Sequence, residues 1–455
     1  MKKEYISCLK LLEEYHGRLY VAGGPVRDLL LDRETPDIDI VVPQGLGGLP
    51  ADFAKGVKGR CVLLHDKQDQ VTERVIIQGQ APLVFDFTRM QGTSIEEDLS
   101  NRDFTFNAMA LPLGDFIGGR RDRIMDPHGG RKALRERRIS AVSERSFLED
   151  PLRLLRAFRF AAQLHFRIDP ETLRWIRIHR RLLEGVSGER IRDEIFRILS
   201  CLPSHPIVVE MDRVGILEVL FPEISAMKEE GRTKICGVDP WKHALAALRA
   251  LETVMEKPGD YFNGHAGEFR AYIVNEVAPG RGKAALIKLA ALPGVEDSPG
   301  ELGAEAWDNL ILRLRLSRKE GAFLRRISRR ARELSVLMSS DEISRKGAAL
   351  FFSRNKDDYF GLFLMYLGRI VASKKSGLQD VKKKTLDLLF RYEKEIKPIL
   401  QRPPLIDGED LMDSFYLKPG PVIGKILTAV RAAQLEGVIV NRSQALALAG
   451  KVLKK

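Results

Sequence analysis

At 455 residues the chain has length for about three domains, which excludes a single small module. Hydrophobic residues make up 44% and charged residues 30%, a balance that supports packed cores and excludes a largely disordered chain. Lysine plus arginine (74) exceed aspartate plus glutamate (62), and the net charge of +12 suits a polyanionic partner such as nucleic acid.

No run approaches the roughly 18 apolar residues that a membrane span requires. The opening Met1-Lys2-Lys3-Glu4-Tyr5 leads into a charged amphipathic segment with no apolar signal core, so a cytoplasmic location and no membrane partner are expected. Cys8, Cys61, Cys201 and Cys236 lie too far apart for a zinc knuckle or a disulfide framework and are expected to be reduced.

From the start to about residue 137, short β-type runs (Arg18 to Ala22, Ile38 to Val42, Leu83 to Phe87) alternate with helical stretches and glycine turns, the pattern of an α/β or α+β domain. Beyond Ser140 the apolar residues recur at three and four, which predicts helices to the C-terminus. Pro203 to Pro206, Pro293 to Gly303 and Pro403-Pro404 with Gly408 punctuate that helical part as domain edges or long loops.

Within the first run, Tyr20-Val21-Ala22-Gly23-Gly24-Pro25-Val26-Arg27-Asp28 reads as a strand ending at two glycines, a helix opening near Pro25, and Arg27 in its first turn. Glycines let main-chain amides approach phosphate oxygens, so this turn is a candidate triphosphate seat. Asp37 and Asp39 stand two apart; on a strand Ile38 to Val42 both carboxylates project from one face while Ile38 and Ile40 bury on the other. Hard divalent cations take such oxygen ligands, and Mg²⁺ held there would bridge nucleotide phosphates, with Asp86 in Leu83-Val84-Phe85-Asp86-Phe87 as a supporting acid. Either motif alone is an ordinary turn or a solvated strand face; the conjunction is what points to chemistry.

Gly23-Gly24-Pro25-Val26-Arg27-Asp28 with Asp37-Ile38-Asp39 resembles the signature of class II tRNA nucleotidyltransferases, the CCA-adding enzymes, and of their bacterial poly(A) polymerase relatives. The resemblance implies an α+β fold class: a polymerase-β-like head of mixed sheet and helices, followed by an all-helical neck, body and tail. The expected division is a catalytic head at 1–137, a neck for base recognition and RNA at 138–225, a body at 226–320, and body and tail binding tRNA at 321–455. It also implies Asp37 and Asp39 as catalytic metal ligands, and Gly23, Gly24 and Arg27 as nucleotide contacts.

Further motifs follow in order. Ser100-Asn101-Arg102-Asp103-Phe104-Thr105 resembles an Arg-Arg-Asp motif whose first arginine is here Asn101, leaving Arg102 and Asp103 for nucleotide sugar and phosphates; without the resemblance they read as an ion pair. Asp126-Pro127-His128-Gly129-Gly130 resembles the turn that hinges head against neck. Glu149-Asp150-Pro151-Leu152-Arg153-Leu154-Leu155-Arg156-Ala157-Phe158-Arg159 carries a basic stripe at helical spacing. The resemblance assigns base recognition to Asp150 and Arg153 as a protein template, and nucleotide or phosphate contacts to Arg156 and Arg159. Read alone, Asp150 before Pro151 is a helix cap. Gly188 to Leu199 is an amphipathic helix expected to support the template helix.

Gly237 to Ala244 resembles the start of a metal-dependent HD phosphohydrolase module, yet Leu286 to Gly294, where its His-Asp pair belongs, offers neither residue, so a degenerate module is expected. Between Arg313 and Arg332 nine basic residues face one acid, Glu320, and Arg318, Lys319, Arg325, Arg326, Arg329 and Arg330 are expected to meet an RNA backbone. Ile406 to Leu411, Gly420 to Leu427 and Glu436-Gly437 resemble the tail of long bacterial members. The implied activity is template-independent addition of CMP and AMP from CTP and ATP to the tRNA 3′ end, with Mg²⁺ as cofactor, by a monomer or homodimer. CC-adding, A-adding and poly(A)-forming specialisations remain open, as do a non-catalytic RNA-binding protein and an HD-type hydrolase.

Overall fold

In a computed structural model of the chain, the β-branched and aromatic runs assemble into a six-stranded sheet whose strands lie side by side in the order 60–67, 70–77, 83–89, 38–42, 20–22, 110–112. Residues 3–67, 70–79, 81–233, 239–292, 304–340, 342–372 and 378–453 are described. The strands are β1 Tyr20–Ala22, β2 Ile38–Val42, β3 Arg60–Lys67, β4 Gln70–Ile77, β5 Leu83–Arg89 and β6 Ala110–Pro112. Neighbours run antiparallel except β2 and β5, which are parallel. The expected strand at Ile38 to Val42 has those bounds; the one expected from Arg18 begins at Tyr20, because the Arg18 and Leu19 amides close a turn onto the Tyr15 carbonyl.

Alternation along β2 and β5 divides the sheet into two faces. Ile38, Ile40, Phe85 and Phe87 are buried; Phe53, from the Leu49–Gly56 helix, packs its ring 5.1 Å from Phe85 and 5.2 Å from Phe87, and Tyr5 lies 5.2 Å from Phe85. The opposite face therefore carries Asp39 and Asp86, which stand side by side in the parallel register.

Contacts divide the chain into two units, residues 1–198 with 210–220, and residues 199–209 with 221–455. The first unit holds the sheet together with the helices that follow it, including Arg153–Leu164 and Gly188–Leu199. The Arg153–Leu164 helix buries Leu155, Phe158 and Phe160, with Phe160 edge-on to Phe104 and Phe106 at 5.6 and 5.2 Å. These aromatic contacts clamp the helix to the loop that carries Arg102 and Asp103.

Among its described residues the second unit is helices and their connections, with a short β-pair at 276–278 and 281–282. Its centre is the Pro240–Glu256 helix against Tyr359–Ala372, with Arg318–Ser339 packed on the latter. Gly368 makes the first contact close: a Cβ there would lie 2.8 Å from Leu251 Cγ. Asp239 caps the Pro240–Glu256 helix by accepting from the Lys242 amide, which accounts for the acid of the HD-like stretch as a helix start. Residues 237 and 238 of that stretch, and 293–303, lie outside the described residues. Leu286 to Leu292 are buried, and the one charge among them, Lys288, pairs at 2.8 Å with Glu252.

Candidate active site

The site starts at the end of β1, where Gly23 adopts φ +77°, a left-handed conformation that side chains resist. A Cβ on Gly23 would lie 2.7 Å from Arg102 Nη1, displacing that guanidinium, and 3.5 Å from Asp39 Oδ2, while one on Gly24 would lie 3.8 Å from the same oxygen. The glycine turn, the second aspartate and Arg102 thus share one small volume.

Carboxylate oxygens of Asp37, Asp39 and Asp86 lie within 4.8 Å of one another. Asp37 enters just before β2, while Asp39 and Asp86 are brought together by the parallel β2–β5 register. Burial, then the Asp37 charge, pushes the Asp39 carboxyl up to about 7, and Asp37 is raised by burial and by Asp86. Burial first and the neighbouring carboxylates second disfavour the ionised acids, a penalty that a bound divalent cation would relieve. Three hard oxygen donors in that state fit a divalent cation. Among the described residues a second trio, His265, Glu268 and Glu393, also gathers ligand atoms within 4.8 Å. There the Lys397 ammonium already bonds both Glu393 oxygens, at 2.7 and 2.8 Å, so a cation is in place.

Around the acids lies a connected set of arginines. Arg27 donates to Asp28 at 2.8 Å and to Asn107 at 3.0 Å. Arg102 is held by Asp98, one helical turn earlier, through two bonds of 3.2 and 3.1 Å. Asp103 is buried, 6% exposed, and accepts from Arg156 at 2.8 Å and from Asn107 at 3.1 Å. Burial alone would raise its pKa, but the Arg156 guanidinium and the Asn107 amide outweigh that and hold it at about 2.

Arg153 donates to the Asn101 carbonyl at 2.9 Å and to the Ser146 carbonyl at 3.2 Å, which fixes its guanidinium at the junction of the two segments. Asp150 receives Arg190 on both oxygens, at 3.0 and 2.9 Å, and accepts from the Leu152 amide at 3.3 Å. The cap expected from sequence is not formed, since the helix starts at Arg153 with Leu152 before it and no side-chain cap; that last bond closes the turn ahead of the helix, and the stronger partner of Asp150 is an arginine from the Gly188–Leu199 helix.

Arg159 departs from the expectation of a phosphate contact. It is 9% exposed, lies over the Phe160 ring at 4.2 Å, and pairs with buried Glu194 at 2.8 Å. The cause is helical geometry: two steps of three residues rotate Arg159 about 120° from Arg153, off the stripe and into the core. Asp126 accepts from the Gly130 and Arg131 amides at 2.5 and 2.9 Å, closing the expected turn; His128 bonds Ser100 Oγ at 3.1 Å.

In the second unit the basic segment splits. Arg326 pairs with buried Asp358 at 2.7 Å, Arg330 donates to Asn355 at 2.9 Å, and Arg325 pairs with Asp308 on the surface. The exposed Arg318, Lys319 and Arg329 make no ion pair among the described residues, so these three keep their charge for a partner. Asp98, Arg74, Asn107 and Arg190 were not singled out from sequence as site residues. Only Asp98, four residues before Arg102, had a local signal in its helical spacing.

Comparison with known proteins adds independent findings. Residues 19–140 match the Poly A polymerase head domain, residues 165–228 a probable RNA and SrmB-binding site of polymerase A, and residues 365–449 a putative tRNA nucleotidyltransferase domain 2. The chain is 32% identical to a CC-adding tRNA nucleotidyltransferase of Geobacter sulfurreducens over 434 residues, covering 94% of this chain and 90% of that one. It is 30% identical over 441 residues to a CC-adding tRNA nucleotidyltransferase of Synechocystis, covering 95% and 93%. Among solved structures, the Thermotoga maritima CCA-adding enzyme complexed with tRNA superposes with TM-score 0.66 at 23% identity, covering 100% of this chain and 96% of that one, a likeness of fold.

Proposed function

The chain belongs to the class II tRNA nucleotidyltransferase and poly(A) polymerase family, and on that premise we propose that it adds CMP and AMP, from CTP and ATP, to the 3′ end of tRNA, building or repairing the CCA terminus in the cytoplasm. The observation that carries this reading is the convergence of Asp37, Asp39 and Asp86 within 4.8 Å, beside a glycine turn whose Gly23 takes a left-handed φ. The RNA 3′-hydroxyl attacks the α-phosphate and pyrophosphate leaves.

Asp37, Asp39 and Asp86 are the residues that would hold Mg²⁺. When bound, such an ion neutralises phosphate charge and favours the ionised hydroxyl. Gly23 and Gly24 give phosphate oxygens access to the main chain, while Arg27 and Arg102 supply positive charge. Asp103, itself held by Arg156, faces the sugar side of the nucleotide. Asp150 and Arg153 offer a pair of acceptors and a donor fork to the base edge, and Arg190 orients the first of them. Catalysis on this reading is positioning plus charge neutralisation.

A second reading, that the chain stops after two cytidines, is favoured by the CC-adding activity in the names of the two relatives that match at 30% identity or more over nearly their whole length. The test supplies tRNA ending before CCA, after C, and after CC, with CTP and ATP offered separately. CMP incorporation on the first substrate supports transfer; AMP incorporation on the third separates CCA from CC addition. No incorporation on any of them contradicts the reading.

A further inference from the structure

Asp86 does not stand free beside Asp37 and Asp39. Both its oxygens accept from one guanidinium, Arg74 Nε at 2.7 Å and Arg74 Nη2 at 2.7 Å. The pairing is built into the sheet, since Arg74 on β4 sits directly opposite Asp86 on β5 in the antiparallel register. Opposed residues share a face, so the arginine approaches the acids from the sheet itself. Arg74 is partly exposed, at 35% for its side chain, while that of Asp86 is 12% exposed.

We propose that Arg74 is a positioning residue of the metal site: it fixes the plane and rotamer of the third carboxylate so that Asp86 presents an oxygen to the cation shared with Asp37 and Asp39. The inference rests on the reading of those acids as metal ligands. A carboxylate offers about four lone-pair sites. A two-pronged arginine occupies two of them and leaves each oxygen one more, so Arg74 and a cation can hold Asp86 together. The rigid fork also sets the carboxylate plane, which a single ammonium cannot do. Groups that orient a metal ligand typically account for about 10- to 100-fold in metal affinity or activity. The same contact ties the β3–β4 hairpin to the reaction centre.

The test measures Mn²⁺ binding to the full chain by electron paramagnetic resonance without nucleotide, together with the Mg²⁺ concentration giving half-maximal CMP incorporation. Arg74→Met is expected to weaken Mn²⁺ binding and raise the Mg²⁺ requirement on the order of 10-fold, with KM for CTP at saturating Mg²⁺ unchanged. Arg74→Lys, which keeps the charge but loses the fork, is expected to fall between the two. In the Asp86→Asn background, Arg74→Met should add nothing further. Wild-type Mn²⁺ affinity and Mg²⁺ requirement in folded Arg74→Met overturn the proposal. Should Arg74→Met not fold, wild-type values in Arg74→Lys overturn it. A wild-type chain that binds Mn²⁺ but transfers no nucleotide contradicts the proposed function and leaves the Arg74 result readable.

Discussion

Asp39 sets the electrostatic problem of the site. Its carboxyl is held at about 7, by burial first and the Asp37 charge second, against an ordinary value of 3.8. A proton bound more tightly in the folded than in the unfolded chain stabilises the metal-free fold fully at low pH, and that contribution is lost as pH rises through the folded value. Metal-free Asp39→Asn should therefore melt above wild type at pH 8, with the gap closing toward about pH 4. Added Mg²⁺ should reverse the order, because only the wild type gains binding energy from it. Scanning calorimetry at the two pH values, with and without the ion, reads both effects. The acids themselves were legible, since two aspartates two apart between β-branched residues predict a shared face. Their partners were not: Arg74 and Arg190 reach Asp86 and Asp150 from 12 and 40 residues away, and no local spacing encodes such a contact.

Elements that obey a clean period were readable, and those that mix signals were not. The Ile38–Val42 strand is β-branched along most of its length and was placed with its bounds. The β3–β4 hairpin escaped because RCVLLHDK and QVTERVII interleave charges with apolar residues, and a register shift between Leu63 and His65 breaks the alternation. The Arg153–Leu164 helix shows the converse error: the three-residue arginine stripe was visible, but its slant carries Arg159 into the core.

In the helical body, the Lys288–Glu252 pair joins two buried helices at 2% and 3% exposure, and Ser204 bonds the same carboxylate through amide and hydroxyl at 2.7 and 2.6 Å. Glu252→Gln leaves the ammonium buried without its charge partner and should cost on the order of 3–5 kcal/mol. Replacing both residues by Met should recover only part of that loss, because the Ser204 amide and hydroxyl and the His205 amide still lose their acceptor, as chemical denaturation would show.

Over the whole chain the charge of +12 is unevenly employed. Much of the basic segment from Arg313 to Arg332 neutralises acids of its own unit, as Arg313 with Glu223 and Arg326 with Asp358. Composition showed the excess, but pairing depends on which acids the fold brings near. Changing Arg318, Lys319 and Arg329 together to Ala should weaken tRNA binding and flatten its log-log dependence on salt by about two units. Arg326→Ala should instead destabilise the unit by leaving Asp358 short of a partner.

The central claim is that Asp37 and Asp39, gathered with Asp86 beside the Gly23-Gly24 turn, make this chain a nucleotidyltransferase. Its most direct test is incorporation of labelled CMP into tRNA lacking its 3′-terminal CCA, comparing wild type with a folded Asp37→Ala, Asp39→Ala double variant. The account predicts ready incorporation by the first and none above background by the second; equal incorporation by both would contradict it.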